Sequence, residues 1–176
     1  MGVRTGFIRR RTYQEKELAV FEKLFPKQID NTYRGYRIAL VLLGLVLAIR
    51  ALQSVMVIFN GPATVTGADG IPLDLYPADA AQTVLALFAQ GSWWRLLFSF
   101  LGVLVLVRYR AAVPLMFVLC IASFMGAVAI SQYIPLARVG TAPGQIVNRV
   151  MFGIMVVGLV LSLIDRRRPD VDNRLE

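Results

Sequence analysis

The sequence predicts an all-α polytopic membrane protein: a four-helix transmembrane bundle preceded by an amphipathic helix at the membrane interface. Three observations lead there. Of 176 residues, 57% are hydrophobic and 17% charged, and a soluble domain of this length needs more polar cover than that. The apolar residues come in long blocks rather than short alternations, the signature of spanning helices of about 20 residues each. The basic residues gather at one set of block ends, as the positive-inside rule requires of a multi-pass chain.

Residues 1–33 read as a basic cytoplasmic segment. In TYQEKELAVFEKLF, residues 12–25, Leu18, Phe21, Leu24 and Phe25 recur at helical spacing with Glu and Lys between them. That pattern predicts an amphipathic helix ended before Pro26, lying on the inner leaflet or docked on a partner or on the bundle. Arg9, Arg10 and Arg11 fall at the same leaflet surface. They are not a twin-arginine signal, because no apolar region follows them directly. The first apolar block, Ile38–Phe59, comes after a long polar segment and has the length to span. It is therefore expected to remain as a span and not to be cleaved as a leader. Asp30, Asn31 or Thr32 can cap it, and Tyr33 and Tyr36 suit the inner aromatic belt.

The transmembrane domain is expected over 34–165, with spans at about 38–59, 84–107, 114–134 and 148–165. The outer loop 60–79 holds Gly61, Pro62, Gly67, Gly70 and Pro72, and VTGADGI suggests a short hairpin about Asp69-Gly70. Pro77-Ala78-Asp79 is a helix start. Gly91-Ser92 predicts a kink or break, with a shallow outer helix Ala78–Gln90 and the true span from Trp93 to Arg108. The short loop VGTAPGQ makes the third and fourth spans antiparallel neighbours. The tail 166–176 opens on Arg166, Arg167 and Arg168, a positive stop with affinity for anionic lipid at the inner leaflet.

Orientation follows from the nineteen basic residues. Nine lie in Met1–Arg37, two are Arg108 and Arg110, and four are Arg166, Arg167, Arg168 and Arg174. With four spans these segments share a side, which the rule makes cytoplasmic. On the other side, the loop 60–79 carries Asp69, Asp74 and Asp79 and no Lys or Arg, and the short loop Pro135–Gln145 carries only Arg138. The net charge of +8 is thus topological and does not point to nucleic acid.

Several function classes are disfavoured. The chain has no histidine, the commonest general base and a common metal ligand. The lone Cys120 excludes an internal disulfide and reads as a small buried hydrophobe. No metal-ligand cluster, no carboxylate pair within a span and no phosphate-cradling loop is present in the sequence, so neither enzyme chemistry nor a cofactor is expected. Proton or cation transport usually relies on Asp, Glu or His within the spans.

The costly residues are arginines, since a charge deep in the bilayer costs about 2.5 kcal/mol or more. Arg50 stands roughly 18 Å, and Arg95 roughly 20 Å, from the inner boundary at about 1.5 Å per residue. Arg50, Gln53, Ser54 and Asn60 share one stripe on the first span; Ser92, Arg95, Ser99 and Gly102 share one on the second. Arg149, Gln132 and Asn148 come from the outer ends of the other two. These positions predict an outer-leaflet pocket for an anionic lipid or amphiphile, with Arg50, Arg95, Arg149, Gln53, Ser54 and Ser99 as candidates, since Arg suits bidentate oxyanion binding. The competing reading is structural. Long Arg stems snorkel, Trp93-Trp94 as an outer belt puts Arg95 at the headgroups, and Asp69, Asp74 or Asp79 folds back to pair with Arg50. Gly44/Ala48, Ala122/Gly126 and Gly158/Ser162 are small-xxx-small pairs suited to close helix packing, within the bundle or in an oligomer. Met116, Met125, Met151 and Met155 read as core or lipid-facing.

The stretch RYRAAVPLMFVL, with Val113–Met116 after a basic turn, and TAPGQIVN, with Thr141–Gly144, resemble small four-span bacterial membrane proteins of the DoxX-like group. The likeness covers roughly Ile38 to Ile164. It implies a four-helix bundle in a bacterial inner membrane and carries no catalytic residue onto this chain; some members resemble quinone-linked redox subunits, for which no cofactor ligands stand here. Two functions follow as expectations. One is a non-catalytic accessory or assembly subunit, with other membrane subunits or further copies of the chain as partners. The other is a binder or carrier of an anionic lipid or amphiphile at the arginine pocket.

Overall fold

The structure, a computed structural model, describes residues 20, 22–24, 31, 33–140 and 142–164. It is an all-α four-helix bundle. Five helices are described: α1 Arg37–Phe59, α2 Gly61–Gly67, α3 Ala78–Arg108, α4 Val113–Tyr133 and α5 Pro143–Leu163, with 3-10 turns at Leu73–Leu75 and Arg110–Ala112. Helices α1, α3 and α5, and α4 with the turn before it, are long and apolar enough to cross a membrane. The chain is thus a multi-pass membrane protein. The end of the bundle holding Arg37, Arg108 and Leu163 is called proximal below, and the end holding Phe59, Ala78 and Tyr133 distal.

Proline sets three of the starts. Pro62, Pro114 and Pro143 occupy the first turn of α2, α4 and α5, where a missing N–H costs nothing and φ is preset. Pro77 is the N-cap of α3 and Asp79 sits in its first turn, the helix start expected of Pro77-Ala78-Asp79.

Helix α1 is central, packing on α3 and on α5, while α4 packs on α5. Its buried residues Ala39, Leu43, Val46, Leu47, Arg50, Ser54 and Val57 recur every three or four positions, one stripe turned to the interior. Leu43, Leu47, Met116, Phe117, Cys120 and Met155 form the heart of the core, in the proximal half and middle of the bundle. Phe124 and Phe152 stack at 4.9 Å between α4 and α5. Beyond them α4 parts from the rest, and every residue from Met125 to Tyr133 is exposed. A lipid-facing surface has this character, since acyl chains cover it as well as leucine does.

Glycine permits the closest approaches. A Cβ at Gly158 would run into the ring of Phe117. Of the small-residue pairs, only Gly158 and Ser162 are both buried; Ala122 and Gly126 are exposed, with nothing within 4 Å of a Cβ at Gly126.

The proximal end is closed by chain that precedes α1. Tyr36 N–H donates to Leu161 O at 3.2 Å, and Lys23 Nζ donates to Leu163 O at 3.0 Å. These bonds satisfy carbonyls that the last turn of α5 leaves open. Tyr33 Oη donates to Tyr36 O at 3.2 Å, and burial pushes its hydroxyl up to about 12. Val20 and Glu22–Leu24 are helical; the rest of the expected amphipathic helix lies outside the described residues, as do Arg9–Arg11 and Arg166–Arg168.

Four expectations are corrected. Helix α3 runs unbroken through Gly91-Ser92, because Ser92 is buried within the bundle and packing there outweighs the modest propensity cost of one glycine. The hairpin about Asp69-Gly70 does not form: VTG ends helix α2, and Gly70, at φ +73°, turns the chain out of it. The first span is capped at Tyr36, without a side-chain bond, and not at Asp30, Asn31 or Thr32. The fourth span begins at Pro143, earlier than 148.

Candidate anion site in the distal cleft

A cleft of about 400 Å³ opens at the distal end between α1, α2, α3 and α5. Leu52, Gln53, Met56, Val57 and Asn60 of α1 and its C-cap form one wall, with Ala63 and Thr64 of α2. Ala68 and Asp69 follow from the loop, Arg95 from α3, and Gly144 and Asn148 from α5. Cation, carboxylate, amides and hydroxyl therefore face a common space beside an apolar strip.

Backbone bonds hold the loop there. Gly144 N–H donates to Ala68 O at 3.0 Å, and Val139 N–H to Gly70 O at 2.8 Å. A Cβ at Gly144 would stand 2.9 Å from Ala68 O, so the approach of loop to helix requires glycine. Thr64 Oγ1 donates to Asn60 O at 2.8 Å and ties α2 to the end of α1. The outcome is that Asp69 is half-buried in the cleft wall. Burial pushes its carboxyl above the ordinary value, while Arg138 and Arg95 pull it back down. Neither Asp69 nor Arg95 makes a salt bridge among the described residues.

Arg50 lies behind this cleft, in the bundle interior. It is 8% exposed, and its Nε has no hydrogen-bond partner among the described residues. It stands within electrostatic reach of Cys120 and Arg95. The carboxylates expected to fold back onto it do not: Asp74 and Asp79 are exposed, and the cations acting on Asp69 are Arg138 and Arg95. A buried guanidinium with an unmet donor is costly, and no carboxylate among the described residues pairs with it.

The remaining candidates separate. Gln53 and Arg95 line the cleft. Ser54 and Ser99 are buried, and their hydroxyls donate to Arg50 O at 2.8 Å and Arg95 O at 2.9 Å, one turn back on their own helices. Arg149 is exposed and outside the cleft lining. Sequence reasoning brought Asp69 to the site only as a partner folding back onto Arg50, and did not place Thr64, Ala68 or Gly144 there. The i, i+4 spacing of Asn60 and Thr64 is the one local signal that could have.

Chemically, the cleft offers Arg95 and the amides of Gln53, Asn60 and Asn148 to an oxyanion, with the field of Arg50 behind them. Leu52 and Met56, 61% and 44% exposed, lead from the polar end along the outside of α1, as an acyl chain would run. No family model, no curated protein and no solved structure matches the chain. The likeness to the DoxX-like group therefore rests on the quoted stretches alone.

Proposed function

We propose that the protein is a non-catalytic component of a bacterial inner membrane that binds an amphiphile in the distal cleft through its phosphate or carboxylate group. The cleft lies in the outer leaflet and both termini are cytoplasmic, the orientation that the basic residues favour. One observation carries the binding: Arg50 is 8% exposed with its Nε unpartnered, and Arg95 stands near it in the cleft wall. Buried Arg50 and exposed Arg95 beside it repel, and an anion between the cleft and the interior relieves both. Native mass spectrometry of the chain in mild detergent tests this. The wild-type chain should retain an amphiphile bearing a phosphate or carboxylate that Arg95→Gln and Arg50→Leu both release. Equal retention by all three removes the proposal.

A second reading, an accessory or assembly subunit of a membrane complex, is favoured by α4. Its distal half is exposed among the described residues and carries Ser131 and Gln132 among apolar residues. A stoichiometric partner dislodged by Gly126→Leu would support that reading; a chain that purifies alone at every detergent strength would dispose of it.

A further inference from the structure

The cleft holds one charge of each sign, and a purely anionic ligand uses only one of them. We propose that the head group read here carries a primary ammonium as well as a phosphate or carboxylate, with the ammonium seated on Asp69 and the anion on Arg95. This rests on the amphiphile-binding reading and narrows it to a chemical class: zwitterionic, amine-bearing head groups of the phosphoethanolamine kind.

Three features support it. Asp69 is not a loose surface acid. It is fixed by the Ala68–Gly144 and Gly70–Val139 bonds on either side of it, it is half-buried, and among the described residues its side chain makes no hydrogen bond or salt bridge. A carboxylate held in such a place without a donor is an acceptor waiting for one. Second, the other polar groups of the lining, Gln53, Asn60, Thr64 and Asn148, are neutral, so the formal charges of the lining cancel, as those of a zwitterion do. A ligand with a negative group alone would meet Arg95 and leave Asp69 without a donor in the cleft. Third, none of the described lining residues is aromatic. Quaternary ammonium groups cannot donate to a carboxylate and are usually caged by aromatic rings; a primary ammonium, with three donors, suits Asp69 better. Burial raises the Asp69 carboxyl, and an ammonium beside it would return it to the ionised form.

The test uses the full chain in mild detergent, titrated by native mass spectrometry with phosphatidylethanolamine, phosphatidylglycerol and phosphatidylcholine of matched acyl chains. Wild type should retain phosphatidylethanolamine over the other two by about tenfold, the worth of one charge-assisted hydrogen-bond set. Asp69→Asn should abolish that preference and raise phosphatidylglycerol, while Asp69→Glu, which keeps the charge, should preserve its direction. Soluble glycerophosphoethanolamine as competitor separates the two sources of this head group. Displacement that depends on Asp69 assigns the site to the free compound, and resistance to displacement assigns it to the lipid; either supports the chemistry. Phosphatidylglycerol held as tightly as phosphatidylethanolamine by wild type overturns the proposal. So does an equal gain for all lipids in Asp69→Asn, which would make Asp69 only a screen for Arg95. If Arg95→Gln and Arg50→Leu leave all retention unchanged, the underlying amphiphile site fails instead, and the two failures are told apart.

Discussion

Gly102 of α3 faces Leu47 of α1 so closely that a methyl group at Gly102 would stand 2.5 Å from Leu47 Cδ2 and 3.0 Å from Met116 Cε. Leu47 is 1% exposed and Met116 2%, so neither has free space to move into. The α1–α3 contact is therefore set by a hydrogen atom at this position. Gly102→Ala should overpack the interface and cost about 1–3 kcal/mol. Thermal unfolding in detergent micelles measures it, and an unchanged melting temperature would mean that the helices part more easily than this packing implies.

Gly91 is the opposite case. It lies inside α3, with nothing within 4 Å of a Cβ built on it. Gly91→Ala should stabilise the protein by about 0.5–1 kcal/mol, the helix-propensity difference. A loss of stability would indicate a bend at Gly91.

These two glycines show what was legible in the sequence. Both sit in one apolar helix, and local signals cannot tell them apart; only the neighbour from α1 does. The four spans were legible because lipid demands internally bonded helices of fixed length. The start at Pro77-Ala78-Asp79 was legible because it is local chemistry. The arginines stood out because charge is costly among apolar residues. What joined them into a cleft was not legible. Asp69 enters it through the contact of Ala68 with Gly144, a long-range approach with no periodicity to announce it. The Asp69-Gly70 pair misled for a related reason. Its turn chemistry is real, as the positive φ of Gly70 shows, but it ends a helix instead of joining strands.

Arg50→Met should leave the ligand-free protein as stable as wild type, or more stable by about 1 kcal/mol or more, since an apolar side chain of similar length removes an unmet buried donor. The measurement is denaturation after exhaustive delipidation. A drop of about 3 kcal/mol or more would reveal a bonded network around the guanidinium.

Asp69 gives stability a pH dependence of definite sign. Burial raises its folded-state carboxyl, with Arg138 and Arg95 opposing. Between the ordinary carboxylate range and the raised value, the folded protein holds a proton that the unfolded chain has lost. Stability from this group is therefore fullest in acid and falls as pH rises through that window. Denaturation series across mildly acidic pH should show a descent in wild type that is absent in Asp69→Asn. Parallel curves for the two proteins would contradict it.

Helix α3 has 31 residues where α4 and α5 have 21, so it is about 46 Å long against about 32 Å. A hydrocarbon slab is about 30 Å thick. With its neighbours near upright, α3 either leans or projects. The Ala78–Gln90 turns and the turns bearing Arg95 belong to one stiff rod, braced near its tip by α2. A pull or a thickness change felt at the tip would swing Arg95 relative to α1 and α5. The rod is thus a lever arm, and membrane tension or an object docking above the headgroups would alter the cleft without touching it.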